Sequence, residues 1–263
     1  MSDEIIGLQE WFTTPAGRYL LAWEQDQMDA AVANIFGYHA LQLGIPALDG
    51  LRANRMPHQW LAMDESIQRE AGSAEPVHRI ALCTEYVALP FPANSLDLLI
   101  LPHTLEYSPD PHATLREVER VLVPEGRVVI CGLNPLSLWG FRQQRGRIYQ
   151  RLGCGGLFLP DGGEFIGFWR LQDWLHLLSF EIEQSSFGCY RPSLESSKWL
   201  DRYTWMDKVG ARWWPILGAA YFMVAVKRVR GMRLLGPAWK AQPARRGKQV
   251  SVANRLHRTP PRS

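Results

Sequence analysis

The sequence predicts an α/β fold with a doubly wound, mainly parallel sheet of about seven strands. Two observations support this fold class: short continuous apolar segments separated by turn residues, and an amphipathic helix pattern between two of them. Strands that are apolar along their whole length are typical of a parallel sheet buried on both faces. Strand, helix and strand in succession form a βαβ unit, whose two strands lie parallel.

The expected elements follow from these patterns in chain order. Seven segments are predicted strands: Tyr38–Ile45, Gln59–Met63, His78–Cys83, Leu96–Leu101, Arg127–Gly132, Glu181–Phe187 and Ala219–Arg228. Residues His112–Val123 carry apolar side chains at helical spacing, and Leu171–Phe180 is predicted to be a further helix.

The chain divides into three parts by composition. Residues 1–37 are expected to form an N-terminal helical segment, since apolar residues recur at helical spacing and Pro15 follows Thr14 at a helix start. Residues 38–230 hold the predicted sheet. Residues 231–263 are rich in Arg, Pro and Gly with few apolar anchors, and we expect them to be disordered.

Charge is distributed unevenly along the chain. All 26 acidic residues lie at or before Asp207, whereas Lys208–Ser263 contains 13 basic residues and no acid. The first 207 residues therefore carry a formal charge of −10 and the last 56 carry +13. For the basic residues within 227–263 three roles stay open: a solvated tail, an arm for nucleic acid, or an arm for anionic lipid.

The cysteines and the apolar segments exclude several classes of protein. The four cysteines lie far apart without a CxxC pair, which argues against a zinc site or a disulfide framework. We therefore expect free thiols in a cytoplasmic protein, no metal and no secretory signal. Trp213–Val226 is too short to span a bilayer, so it is interpreted as a buried helix end with the final strand, or as an element at a membrane surface.

Residues Thr84–Pro135 carry a run of spaced motifs: Glu85, then Leu-Pro-Phe at 89–91, His103-Thr-Leu-Glu-Tyr107, and Pro124-Glu-Gly126 before a strand. This stretch resembles the class I S-adenosylmethionine-dependent methyltransferases, and within them the type 11 branch. The resemblance is dense over about 50 residues and loose over 38–230. Segments Trp11–Leu21 and Asn134–Gly140 also resemble a group of uncharacterised bacterial proteins. The resemblance to the methyltransferases implies the Rossmann-like methyltransferase fold.

The resemblance implies S-adenosylmethionine as cofactor, bound beyond the carboxyl ends of the strands. Asp64, 20 residues after Gly44, would accept hydrogen bonds from the ribose hydroxyls. Glu85 would accept from the adenine amino group, with Tyr86 stacking on or walling the adenine. Leu101 and His103, after the fourth strand, would line the sulfonium.

The first loop departs from the family, whose pattern is an acid followed by three alternating glycines. Gln42 stands for the acid and Gly44 for the first glycine, while Pro46 and Leu48 replace the later two. Glycines let the backbone approach a ligand closely, so their replacement affects the contacts to the methionine end of the cofactor. Gln42 and Gly44 stay cofactor-binding candidates.

His103 and Tyr107 are the candidates to face the methyl acceptor, which the sequence does not identify. Each candidate has an alternative role. Asp64 could cap a helix or turn, Glu85 could be a solvated acid, and His103 and Tyr107 could be core groups. Cys154, in a glycine cluster, has no visible base that would make it a nucleophile. No catalytic residue is assigned.

Three functions remain open on the sequence. The first is a methyltransferase acting on an unidentified acceptor by in-line displacement at the sulfonium. The second is a catalytically inactive binding or scaffold protein of the same fold, which the glycine-poor loop favours. The third is a nucleic-acid binder that acts through its basic tail.

Overall fold

The computed structural model of the protein describes residues 11–64, 81–151, 158–159, 164–193 and 196–228. Within them the helices are α1 (Pro15–Val32), α2 (Pro111–Val121), α3 (Leu138–Arg151), α4 (Phe168–Leu177), α5 (Ser197–Arg202) and α6 (Trp205–Trp213), and a 3₁₀ turn spans Pro215–Leu217. The strands are β1 (His39–Leu43), β2 (His58–Met63), β3 (Leu82–Cys83), β4 (Leu96–Pro102), β5 (Leu122–Leu133), β6 (Phe180–Gly188) and β7 (Ala220–Lys227).

The seven strands form one sheet in the order β3-β2-β1-β4-β5-β7-β6. Strand β7 runs antiparallel to both of its neighbours, and the other strand pairs are parallel. The chain leaves β1 toward β2 and β3, then crosses to β4 on the other side, so strand order reverses between β1 and β4. The predicted doubly wound, mainly parallel sheet is confirmed, and sheets of this kind bind ligands at the carboxyl ends of the strands where the order reverses, here β1 and β4.

Helix α1 begins as its sequence predicts. The Thr14 side chain accepts a hydrogen bond from Gly17 N, and Pro15 occupies the first turn. Its inward face repeats every four residues, as Leu20, Glu24, Met28 and Val32, and all four are buried. Leu20, Met28 and Val32 pack on one face of the sheet, whereas Glu24 carries a carboxylate.

The opposite face of the sheet is covered by α2 and α4. Leu115, Val118 and Val121 of α2 and Leu171 and Leu175 of α4 lie in the same buried cluster as the side chains of β4 and β5. The Asp110 side chain caps α2 by accepting from Ala113 N at 2.9 Å. Both faces of the central strands are therefore buried, which accounts for their continuous apolar sequence.

Three predicted elements differ clearly from the structure in their bounds. The strand predicted over Arg127–Gly132 begins at Leu122, so Pro124–Gly126, expected before that strand, lie within β5. The helix predicted over Leu171–Phe180 ends at Leu177, because the chain turns at Ser179, where φ is +63°, and enters β6 at Phe180. Within the strand predicted over His78–Cys83 the described part is residues 81–83, of which Leu82–Cys83 form β3. The glycine cluster with Cys154 and the tail 231–263 lie outside the described residues.

The segment Trp213–Val226 divides at Gly218. Strand β7 is buried along its whole length, as expected for a final strand. Residues 213–217 are exposed instead of forming a buried helix end. Throughout the described part of the chain, no helix is long and apolar enough to cross a membrane.

Candidate cofactor and acceptor site

The residues that follow β1 and β4 meet at the strand reversal. Gly44 follows β1 with φ of +80°, a conformation that side chains rarely adopt. Thr104 follows β4, and its hydroxyl donates to Leu43 O at 2.6 Å. This bond joins the two strand ends across the point where a ligand binds in this kind of sheet.

Gln42 supports the loop after β1 from beneath. Its side chain is buried, and Nε2 donates to Ile45 O at 3.0 Å and to Leu48 O at 2.7 Å, while Oε1 accepts from Gly50 N at 2.9 Å. A carboxylate could not donate to those carbonyl groups. Gln42, expected to contact cofactor, therefore has its hydrogen-bonding groups directed at the loop backbone.

The connection from β1 to β2 is short. Residues 44–57, all described, form turns and contain no helix. A helix N-terminus at this position would present backbone N–H groups and a positive dipole end to an anionic ligand group. The methionine end of the cofactor therefore has no such support from this connection.

Asp64 and Glu85 follow neighbouring parallel strands at the same edge of the sheet. Met63 of β2 is paired with Cys83 of β3, and Thr84 N donates to Met63 O at 2.8 Å. Asp64 is half-buried and Glu85 is exposed. The structure thus brings the two predicted adenosine ligands to the edge that also carries Gly44.

The Tyr86 side chain lies across this edge. It is buried, and its hydroxyl accepts a hydrogen bond from Asp64 N at 3.2 Å. A methyl group built on Gly44 would lie 3.3 Å from the same hydroxyl oxygen. Burial raises the pKa of Tyr86 well above its ordinary value. The ring, expected to wall the adenine, reaches from the end of β3 to the loop after β1.

His103 lies at the end of β4 with φ of +52° and is fully buried. Its Nδ1 is 2.9 Å from Glu106 Oε2, and its Nε2 is 2.9 Å from Glu24 Oε1 on α1. Glu106 also accepts a hydrogen bond from Leu133 N at the end of β5. The imidazole is therefore enclosed between two carboxylates and joins the N-terminal helix to the sheet.

Burial and neighbouring charges shift the pKa values of this cluster in opposite directions. Burial lowers the pKa of His103, but the two carboxylates outweigh it and raise the pKa to about 10. Burial raises the pKa of the Glu106 carboxyl despite its contact with His103. Among the described residues, Glu24 Oε2 has no hydrogen-bond partner. The cluster thus places one imidazole between two carboxyl groups, whose charges favour its protonated form.

The remaining candidates are core residues. Leu101 is fully buried among the side chains that contact α2 and α4, and Tyr107 is buried in the cluster that contains α1. Neither is exposed toward an acceptor in this conformation.

Asp97 lies at the opposite edge of the sheet, where its Oδ2 accepts hydrogen bonds from Tyr38 N and His39 N and so fixes the start of β1.

Sequence reasoning missed Glu24 as a partner of His103. A signal was present, because Glu24 interrupts the apolar stripe of α1, and a charged residue there is rarely buried without a partner. Glu106 stood within the quoted motif but had no role assigned. The groups of His, Cys, Asp and Glu in the described part of the chain include none arranged to hold a metal ion.

Comparison with known proteins identifies relatives of this arrangement. Residues 58–130 match a family model described as a methyltransferase domain, of the type 11 group. The chain is 28% identical over 252 residues to the uncharacterised protein YafS of Escherichia coli, covering 95% of this chain and 93% of that protein. It is 34% identical over 61 residues to malonyl-[acyl-carrier protein] O-methyltransferase of Halorhodospira halophila, covering 23% of this chain and 21% of that protein.

A solved structure gives the same fold. The S-adenosylmethionine-dependent methyltransferase of Thermotoga maritima, described as a possible histamine N-methyltransferase, aligns with a TM-score of 0.56 at 14% identity. The alignment covers 84% of this chain and 94% of that one. The resemblance predicted from the sequence is confirmed: the chain has the fold of the S-adenosylmethionine-dependent methyltransferases, its residues 58–130 match their type 11 domain, and this family and fold imply a transferase with S-adenosylmethionine as cofactor.

Proposed function

We propose that the protein binds S-adenosylmethionine at the carboxyl edge of β1, β2 and β3 and transfers its methyl group to an acceptor. One observation carries the proposal: Asp64 and Glu85 follow adjacent parallel strands at the edge that also holds Gly44. This edge, beside the strand reversal, is where sheets of this kind bind nucleotides.

The two acids fit the adenosine half of the cofactor. A carboxylate accepts hydrogen bonds only, and a ribose diol and an adenine amino group both donate them. The Asp64 carboxylate would hold the ribose hydroxyls, and the exposed Glu85 would receive the adenine amino group. When bound, the cofactor supplies an electrophilic methyl group on a sulfonium, so positioning provides most of the rate.

Two features set conditions on binding. The Tyr86 hydroxyl lies 3.2 Å from Asp64 N and would lie 3.3 Å from a methyl group on Gly44, so we expect this side chain to turn away when adenosine binds. The loop held by Gln42 presents neither the alternating glycines nor a following helix. The methionine end would therefore be held less firmly than the adenosine end.

His103 would act as a positioning residue in this proposal. Its imidazole is enclosed by Glu24 and Glu106, so it cannot accept a proton from an acceptor in this conformation. It instead fixes α1 over the ends of β4 and β5, which is the side of the strand reversal where an acceptor would approach. The base that takes the acceptor's proton is not assigned.

Titration calorimetry with S-adenosylmethionine and S-adenosylhomocysteine tests the proposal. We expect binding by the wild type, and affinity lower by about tenfold to a hundredfold in Asp64→Ala and Glu85→Ala, since each loses hydrogen bonds to a charged group. Asp173→Ala, an exposed acid on α4, is the matched control and should bind as the wild type does. Failure to bind at millimolar cofactor would refute the proposal.

An inactive protein of the same fold is the second candidate function. The Tyr86 hydroxyl beside Gly44 and the Gln42-supported loop favour it, because the first reduces the room for a cofactor and the second reduces the contacts. It predicts that the protein shows no methyl transfer to any acceptor, even where calorimetry detects binding. Release of S-adenosylhomocysteine in the presence of acceptor candidates would exclude it.

A further inference from the structure

Exposed apolar side chains lie on two segments, one after β5 and one before β7, at the same edge of the sheet as the proposed cofactor site. The segments are 136–148 and 213–217, and we call their exposed apolar side chains the aromatic edge. Leu136 is 61% exposed, Phe141 59% and Trp213 73%. The other large exposed apolar residues of the surface are Leu138, Ile148, Trp214, Ile216 and Leu217.

Side-chain hydrogen bonds to backbone carbonyl groups anchor residues 213–217 beside the end of β5. Asn134 Nδ2 donates to Ile216 O at 2.7 Å and to Gly218 O at 2.9 Å. Tyr190, in the segment after β6, donates its hydroxyl to Pro215 O at 2.7 Å. The surface is therefore built on fixed structure, since Leu133 and Ala220, which flank it, are paired in the sheet.

Helix α3 presents apolar and basic side chains together. Leu138, Phe141, Arg142, Arg145 and Ile148 recur at helical spacing and all five are exposed, whereas Trp139 and Gln143 point inward and are buried. Leu138, Phe141, Arg142 and Arg145 also line a cavity of about 480 Å³. Apolar anchors interleaved with arginines are typical of helices that lie in the interface of a membrane.

The charge of this surface has one sign. Its described charged residues are basic: Arg142 and Arg145 on α3 are exposed, and so are Lys208 and Arg212 just before the second segment. Asp207, the acid next to the second segment, is bound to Arg191 Nε at 2.9 Å. Each basic residue near an anionic bilayer adds about 1 kcal/mol of attraction. Tryptophan is enriched where a membrane meets water.

We propose that the aromatic edge docks on an anionic lipid bilayer, with its tryptophan and phenylalanine side chains in the headgroup region. A second copy of the chain is a poorer occupant, because a two-fold interface would bring together two copies of the same positively charged surface. The bilayer complements both the apolar area and the positive charge. This docking does not depend on cofactor binding.

Co-sedimentation of the full-length protein with vesicles tests the docking. The probes are phosphatidylcholine vesicles with and without phosphatidylglycerol. We expect binding to the anionic vesicles that weakens as salt is added, because surface charges are screened. The double variant F141S/W213S should bind about tenfold more weakly, through loss of buried apolar area. Its charge, including that of residues 227–263, is unchanged.

The matched control changes an apolar residue at the opposite edge of the sheet. Leu177 is 83% exposed at the end of α4, beside the start of β6, which pairs with the end of β7. Leu177→Ser should bind vesicles as the wild type does. Thermal melts followed by circular dichroism establish that all variants fold.

Three outcomes would overturn the proposal. One is no binding to anionic vesicles at low salt. Another is equal binding by wild type and F141S/W213S, which would assign the attraction to the basic residues after 227. The third is a dimer in solution that F141S/W213S abolishes, which would show that a second copy covers this surface. Each outcome is measured without cofactor, so none depends on the proposed methyl transfer.

Discussion

His103 Nε2 lies 2.9 Å from Glu24 Oε1, although the two residues are 79 positions apart in the chain. Glu24 is on α1 and His103 follows β4, so this contact fixes the N-terminal helix to the edge of the sheet that carries the candidate site. Both side chains are fully buried. A buried charge that loses its partner is strongly destabilising, and removal of either group should therefore be costly.

The first prediction separates charge from hydrogen bonding at Glu24. We expect Glu24→Ala to lower the free energy of unfolding by about 3–5 kcal/mol, because it leaves His103 with one partner and opens a cavity. Glu24→Gln should cost about 1–2 kcal/mol, since its carbonyl oxygen still accepts from His103, whereas its amide N–H groups have no acceptor where Glu24 Oε2 has no partner among the described residues. Urea unfolding measures both. Equal losses in the two variants would contradict this account.

The second prediction is a fall in stability with rising pH. The pKa of His103 is raised to about 10 in the folded protein, against about 6.5 in an unfolded chain. Its contribution is therefore fully present below about pH 6.5 and is lost as pH rises through about 10. Between these values the folded state holds one more proton, so the free energy of unfolding should fall by about 1.4 kcal/mol per pH unit.

Neighbouring groups define the control for this pH dependence. Glu106 and Cys131 lie near His103, and burial raises the pKa of both, so each also favours the folded state when protonated. Cys131 affects the pH dependence of the free energy of unfolding only near pH 9 and above, where an unfolded cysteine loses its proton. We therefore compare the wild type with His103→Asn between pH 6.5 and 8.5. An equal slope in the two proteins would assign the effect to other residues.

The third prediction concerns the Tyr86 ring. If the ring must turn away before adenosine enters, Tyr86→Ala should bind S-adenosylmethionine about tenfold more tightly, because that conformational cost is removed. Its free energy of unfolding should fall by about 3 kcal/mol, as for other buried aromatic truncations. Calorimetry and urea unfolding measure the two effects.

Tyr86→Phe is the matched variant, because it keeps the ring and loses only the hydrogen bond from Asp64 N. It should bind cofactor with an affinity between those of the wild type and Tyr86→Ala. Weaker binding by Tyr86→Ala would indicate instead that the ring stacks on the adenine, as the sequence led us to expect.

Most of the fold could be predicted from local patterns. The Thr14-Pro15 start of α1, the alternating turn residues and the apolar strands each act over a few residues, and most of the motifs over Thr84–Pro135 lie within residues 58–130, which match the type 11 methyltransferase model. Asp64 and Glu85 were placed at one edge because the ends of adjacent parallel strands meet there. Their predicted roles as ligands stay predictions.

The rest depends on side chains that meet across the fold. No local sequence pattern indicates that the hydroxyl of Tyr86 reaches Gly44, which is 42 residues earlier in the chain. The exposure of residues 213–217 was missed because an apolar segment of five residues is equally compatible with a core, and only the end of β7 at Ala220 leaves it outside.

The fourth prediction tests whether the family's acid can be restored at position 42. Gln42→Glu would place a carboxylate 2.7–3.0 Å from the carbonyl oxygens of Leu48 and Ile45, which now receive hydrogen bonds from Nε2. Since a carboxylate cannot donate, we expect the free energy of unfolding to fall by about 3 kcal/mol or more, and cofactor affinity not to improve.

Gln59→Glu is the control for this substitution. Gln59 lies on β2, is exposed, and donates to Asn54 O at 2.9 Å, so the same chemical change there should cost less than about 1 kcal/mol. Urea unfolding compares the two variants, and calorimetry follows the cofactor. Tighter cofactor binding by Gln42→Glu without loss of stability would mean that the loop can adopt the family's acid-dependent arrangement, and that Gln42 is not what holds residues 44–50 in place.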